Sequence, residues 1–195
     1  MLKKVHFTPS DFCRLRTPVS TNWIVITGAP SSGKTTLVRE LSLRGYSVLG
    51  DPARELILET KQASKVMDAR ERQRRITAKM LQMYSSTPTN RLTFLDYGMP
   101  DNLLYQVRED CVEEITERIS KLIRYRAVFL LTPLPVEHDG VRVLNAKEQH
   151  DIHGDIEAMY RSLGYEPIGL QASSLDFRLG VVLKYIEEIA VETSG

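Results

Sequence analysis

The apolar run "NWIVITG", residues 22–28, gives way across one glycine- and serine-rich loop to the amphipathic "KTTLVRELSLRG". Between the two, Gly28, Ala29, Pro30, Ser31, Ser32, Gly33, Lys34 and Thr35 satisfy the spacing G-x-x-x-x-G-K-[ST]. That spacing has a narrow physical meaning. Glycines at both ends permit backbone conformations that turn successive N–H groups toward one anion, and a helix starting near Lys34 adds the positive end of its dipole. Lys34 is placed to reach the β- and γ-phosphates of a nucleotide, ATP or GTP, and the Thr35 hydroxyl to bind Mg²⁺. Thr36 completes the phosphate-binding stretch. The alternative is a chance turn before a helix, which the order strand, motif, helix disfavours.

That order repeats along the chain. "YSVLGD", "RLTFLD", "RAVFLLT" and "EPIGLQ" read as four further strands. The helical segments are "PARELILETKQ", "MDARERQRRITAKMLQMYSS" and a last one from about "SLDFRLGVVLKYIEEIAVE", and the long pattern "EDCVEEITERISKLIRY" precedes the fourth strand. The strands are apolar throughout rather than alternating, as expected where helices cover both faces of a sheet. The fold class is therefore α/β, three layers around a central parallel five-stranded sheet, with ligands at the carboxyl ends of the strands. A length of 195 residues, 42% of them hydrophobic, suits one sizeable core. The expected organisation is an N-terminal extension lying on the surface over 1–20, where Pro9 and Pro18 stand, and a phosphate-binding domain over 21–195.

Composition narrows the partners. With 26 basic against 25 acidic residues the formal net charge is +1, so no global field draws the chain to nucleic acid or anionic lipid. Cys13 and Cys111 form no ligand spacing, which argues against zinc and disulfides and for a reducing compartment. No apolar run approaches the roughly 20 residues of a membrane span, and "MLKKVHFTPS" lacks the apolar core of a signal peptide, so a cytoplasmic protein is expected. His150 and His153 stand at i and i+3, a metal-ligand spacing that without a further ligand more often decorates a surface helix. The run "DARERQRR", 68–75, is a solvated helix face or a flap over an acceptor pocket.

Three residues outside the loop are candidates for chemistry. Asp96 ends the third strand, where a carboxylate can hold the Mg²⁺ shell with Thr35; a solvated strand-end aspartate is the alternative. Arg142, in "HDGVR" within a lid around 134–150, is a mobile cation able to close over phosphates, or else an exposed arginine. Asp51 ends the second strand at the same edge and could accept the proton of an acceptor hydroxyl, although Asp51–Pro52 is equally a turn and helix start. Lys34, Asp51 and Arg142 are thus the candidate catalytic set.

The segments "GAPSSGKTTLVREL", "GDPAREL", "FLDYGMPD", "HDGVRVL" and "ASSLDFR" resemble the NadR/AAA-type P-loop ATPase/kinase domains, which include ribosylnicotinamide kinases. The resemblance covers about residues 23–190. It implies the nucleotide-kinase type of P-loop NTPase fold with the P-loop strand central, Arg142 as a lid arginine, an acid at Asp51, and adenine contacts at "QASS", 171–174. Tyr97 stands where many relatives carry an arginine, and Arg108 or Arg54 is the expected substitute. The expected function is Mg²⁺-dependent transfer of a γ-phosphoryl group to a small hydroxyl-bearing, nucleoside-like acceptor, with a homodimer left open. The alternative is a nucleotide-binding regulatory switch without a small-molecule acceptor.

Overall fold

The computed structural model describes residues 6–62, 67–134 and 146–194. Five strands form one sheet: β2 (Trp23–Thr27), β3 (Ser47–Leu49), β4 (Thr93–Leu95), β6 (Ala127–Leu131) and β7 (Ile168–Leu170). Their spatial order is β3-β4-β2-β6-β7, and every pairing is parallel. The five expected strands and the parallel three-layer α/β architecture are therefore present, with β2 in the centre. Two two-residue strands, β1 (Val19–Ser20) and β5 (Ile123–Arg124), pair with each other apart from this sheet.

The eight helices that the described residues contain are α1 (Pro9–Arg14), α2 (Lys34–Leu43), α3 (Pro52–Gln62), α4 (Ala69–Ser85), α5 (Met99–Arg108), α6 (Glu114–Leu122), α7 (Ala146–Ser162) and α8 (Leu175–Ser194). The side chains of β2 alternate between two cores. Trp23 and Val25 join Leu95, Val128 and Leu130 beneath α4, α5 and α7, whereas Ile24 and Ile26 join Phe94, Phe129 and Leu131 beneath α2 and α8. Both faces are apolar because both are covered, which is why no polar alternation shows in the sequence. Among the described residues no helix is long and apolar enough to cross a membrane.

Residues 6–20 do more than expected. The chain there lies largely exposed, yet it folds α1 and sends Phe7 and Phe12 into the core. Thr8 caps the helix in a reciprocal box with Asp11, and Pro9 occupies the first turn, where its missing N–H leaves nothing unpaired. Phe12 is fully buried, with its ring 5.4 Å from that of Phe7 and 6.3 Å from that of Tyr84 on α4. The isolated phenylalanines of "HFTPSDFCR" are too few to announce such packing. Helix α5 was also unforeseen, since Gly98 and Pro100 look like turn residues. Here Gly98 is the N-cap and Pro100 sits in the first turn, a position that proline tolerates.

Phe12→Ala is expected to cost about 3–5 kcal/mol, the usual toll of a buried Phe-to-Ala truncation. Urea unfolding measures it, and a loss below about 1 kcal/mol, the range of surface changes, would remove α1 from the core.

Candidate functional site

The carboxyl edge of the sheet gathers the charged residues. After β2 the loop turns through Gly28 at φ +146°, Ser31 at +63° and Gly33 at +90°. A Cβ on Gly28 would stand 2.6 Å from the Leu131 carbonyl oxygen and 2.8 Å from Ser32 Oγ, so only glycine lets the loop pass this close to β6. Gly33, left-handed, is the N-cap of α2 and starts it at Lys34. The Lys34 ammonium then folds back under the loop, donating to the carbonyls of Gly28 at 2.8 Å and Ala29 at 2.9 Å. Burial lowers its pKa, against the opposing pull of Asp96, Asp101 and Asp51 in that order.

Of the expected phosphate-binding residues, Gly28, Pro30, Ser31, Lys34 and Thr35 line one cavity of about 320 Å³. Ala29 and Ser32 are buried behind it, and Thr36 is exposed on the first turn of α2. Asp96, just past β4, is 1% exposed. Burial pushes its carboxyl up to about 6, while a hydrogen bond with the Thr35 side chain and the Lys34 charge pull the other way. Its Oδ1 has no hydrogen-bond partner. An orphaned buried carboxylate oxygen beside a threonine hydroxyl fits a divalent cation held through one carboxylate, one hydroxyl and a ligand's phosphates.

Asp101, in the first turn of α5, is a second buried acid that sequence reasoning passed over. Its Oδ2 accepts from Tyr160 Oη at 2.6 Å and from the Gly98 N–H at 2.7 Å, and its Oδ1 from the Thr27 hydroxyl. The only available signal was its place at N3 of an unrecognised helix. Asp51 lines the cavity as expected, and its Oδ1 also accepts the N–H groups of Ala53 at 2.9 Å and Arg54 at 3.0 Å, capping α3. Asp51 thus opens α3, as an Asp–Pro helix start would, while standing in the cavity wall. Arg142 and most of the expected lid lie outside the described residues.

The cavity continues beyond the acids. Tyr97, at φ +139°, and Tyr105 lie nearly parallel in its wall with ring centroids 6.4 Å apart. Ile57, Ile76 and Ile156 add apolar surface. At the far end Glu109 binds Arg72 at 2.7 Å and Gln73 at 2.8 Å. Part of the basic run 68–75 thus faces the cavity. Of the two expected arginine substitutes, Arg54 lines the cavity, whereas Arg108 is drawn to Asp155 on the surface and does not.

Behind the phosphate loop lies another residue that the sequence did not single out. Arg178, 3% exposed, donates to the carbonyls of Ser32 at 2.5 Å, Thr132 at 2.8 Å and Gln171 at 2.9 Å. Burial lowers its pKa. His153 is held partly inside by α7, and burial lowers its pKa too, whereas His150 is exposed. Among the described residues no group of three His, Cys, Asp or Glu side chains could hold a metal ion.

Residues 23–178 match the family described as AAA domain. No curated protein matches the chain. Among solved structures it is similar to a NadR protein in complex with NR, at 20% identity and a TM-score of 0.55 over 80% of this chain and 46% of that one. It is also similar to thymidylate kinase from Candida albicans, at 15% identity and 0.56 over 88% and 92% of the two chains. A third likeness is to deoxyadenosine kinase from M. mycoides with dCMP and dCDP bound, at 15% and 0.56 over 85% and 99%. The chain thus spans less than half the length of the NadR protein. These likenesses establish a P-loop nucleotide-kinase-like fold.

Asp96 carries a testable consequence. Its carboxyl titrates near 6 in the fold against an ordinary 3.8, so its contribution to stability is complete below the ordinary value and is lost as pH rises through about 6. Asp96→Asn is expected to melt above the wild type at pH 8 and to converge with it as the pH falls toward 4. Paired melting curves decide the matter, and a variant that melts lower at pH 8 would show that the buried charge stabilises the fold.

Proposed function

The chain belongs to the AAA domain family, and from that premise we propose that it is a Mg²⁺-dependent phosphotransferase moving the γ-phosphoryl group of ATP to a hydroxyl of a small nucleoside-like acceptor. One observation carries this reading. The cavity that the phosphate loop lines is not confined to that loop, since Asp51, Tyr97, Tyr105 and three isoleucines wall it too. A regulatory switch needs the loop alone, whereas a transferase needs a second compartment in line with it. The exposed thiol of Cys13 suits action in the reducing cytoplasm.

The residues divide the work by what each has left to offer. Backbone N–H groups of the loop and the start of α2 bind the phosphates, and Lys34 turns from the Gly28 and Ala29 carbonyls to the β- and γ-oxygens. Thr35 and Asp96 would hold the magnesium ion, which when bound supplies charge neutralisation on those oxygens. Asp101 is saturated by Thr27, Tyr160 and Gly98, so it positions rather than reacts. Asp51 is the acid that remains. It takes the proton of the acceptor hydroxyl as that oxygen bonds to the γ-phosphorus, while the bond to the bridging oxygen breaks and its electron pair leaves with ADP. Arg142, as a lid cation, belongs to the same proposal.

Asp51→Asn keeps an oxygen for the α3 cap, so the fold and ATP affinity should persist while kcat falls about 10²–10⁴-fold, the range of a general base. Lys34→Ala should instead weaken nucleotide binding by about 1.5–3 kcal/mol, the worth of a charge-assisted bond. Labelled ATP and GTP offered with a panel of nucleosides give the turnover, and calorimetry gives the affinities. Wild-type protein that binds Mg·ATP, phosphorylates no nucleoside and changes conformation on binding would replace this reading with the switch.

A further inference from the structure

The far end of the cavity holds a buried polar group that the fold leaves unsatisfied. Gln73, on α4, is 3% exposed and forms part of the cavity wall, yet its Oε1 has no hydrogen-bond partner. Its Nε2 donates to Glu109 Oε2 at 2.8 Å, and Glu109 Oε1 in turn accepts from Arg72 at 2.7 Å. This arrangement fixes which way the amide points. Turning it over would set the amide oxygen against a carboxylate oxygen, so Nε2 must face Glu109 and Oε1 must face elsewhere. A buried carbonyl without a donor is costly, and native folds leave such groups where a ligand or water completes them.

The mounting around Gln73 is rigid. One turn further along α4, the Thr77 hydroxyl accepts from Asn102 Nδ2 at 2.8 Å and Gln106 Nε2 at 3.1 Å, locking α4 to α5, the helix that leads into Glu109. Asn102 Oδ1 is also unpartnered, but Asn102 does not line the cavity. Ile76, three residues on along α4, and Tyr105 on α5 line the same cavity and give it apolar and aromatic surface. A planar ring fits such a wall, and its edge would meet an acceptor oxygen flanked by a carboxylate.

We propose that Gln73 determines acceptor specificity: its Oε1 accepts a hydrogen bond from an N–H on the ring edge, so the chamber takes nucleosides whose ring carries an amino or carboxamide group. Glu109 holds the amide in that sense and repels a ring that carries a carboxylate. A pocket with a fixed acceptor discriminates strongly, because a ring lacking the donor leaves Oε1 unpaired inside the complex. The proposal rests on the phosphotransferase reading for what happens to the bound nucleoside, though not for the binding itself.

The test therefore measures binding and transfer separately, on the full chain with a non-hydrolysable ATP analogue and magnesium. The probes are adenosine against purine riboside, cytidine against pyrimidin-2-one riboside, and nicotinamide riboside against nicotinate riboside. In at least one pair the amino- or amide-bearing member is expected to bind about 10-fold or more tighter, the scale of one buried hydrogen bond. Gln73→Met, similar in length, should shrink that preference to about twofold while Mg·ATP affinity and melting temperature hold. Should it fail to fold, Glu109→Gln serves instead, since it frees the amide to turn over and should likewise erase the preference. No binding by any probe, binding without preference, or a preference that survives in the variant overturns the proposal. Selective binding without phosphoryl transfer from ATP overturns the transferase reading and leaves this one standing.

Discussion

A lysine ammonium drawn out of water is the interaction around which the carboxyl edge of this fold is organised. Lys34 is lowered in pKa by burial, and what keeps it charged is the convergence of Asp96, Asp101 and Asp51. Asp51 follows β3, and Asp96 and Asp101 follow β4, and a parallel sheet brings those two strand ends to the edge where β2 ends. The central place of β2 follows from the same need. With β4 on one side and β6 on the other, the loop after Thr27 has Asp96 beside it and the Leu131 carbonyl against Gly28. Moving the loop to an edge strand would leave the ammonium with fewer opposite charges around it.

The acids also build the helices that carry them. Asp51 caps α3 and Asp101 closes the box at the start of α5, so each carboxylate is fixed in place by the backbone it stabilises. Such double use makes the site stiff, because Asp101 is tied at once to Thr27, Gly98 and Tyr160. Against that stiffness, the atoms without partners are informative. Asp96 Oδ1 and Gln73 Oε1 are two such atoms, and burial makes both expensive in the unliganded fold. Local structure is already saturated at Asp101 and left open at Asp96 and Gln73, which is how a scaffold and a binding surface differ in physical terms.

How far the sequence disclosed this depends on whether the signal was local. The phosphate loop and five strands were legible, since a fixed spacing and uninterrupted apolar runs are written in consecutive residues. Asp96 and Asp51 were legible as strand ends. Helix α5 was not, because Gly98 and Pro100 carry opposite meanings as turn formers and as first-turn residues, and only the Tyr125 hydroxyl on the Met99 N–H and the box at Asp101 resolve the choice. With α5 missed, Asp101, Tyr105 and Glu109 were missed as well. The N-terminal segment failed for another reason. Two phenylalanines five residues apart make no periodic face, and the burial of Phe12 depends on Tyr84, which lies far away in sequence.

Arg178 shows the same limit at its sharpest, and it explains why the phosphate loop belongs to the whole sheet rather than to one strand. Where parallel strands end, carbonyl groups run out of ladder partners and must find donors elsewhere. Ser32 in the loop, Thr132 after β6 and Gln171 after β7 present three such carbonyls to one buried spot. A guanidinium answers them because its N–H groups diverge in a plane, one to each loop, while a lysine would crowd its donors on a single nitrogen. Nothing in "SSLDFR" distinguishes this arginine from a solvated one. Its role exists only once β6 and β7 stand beside β2, so the shape of the anion cradle near residue 30 is set in part by strands that end a hundred residues later.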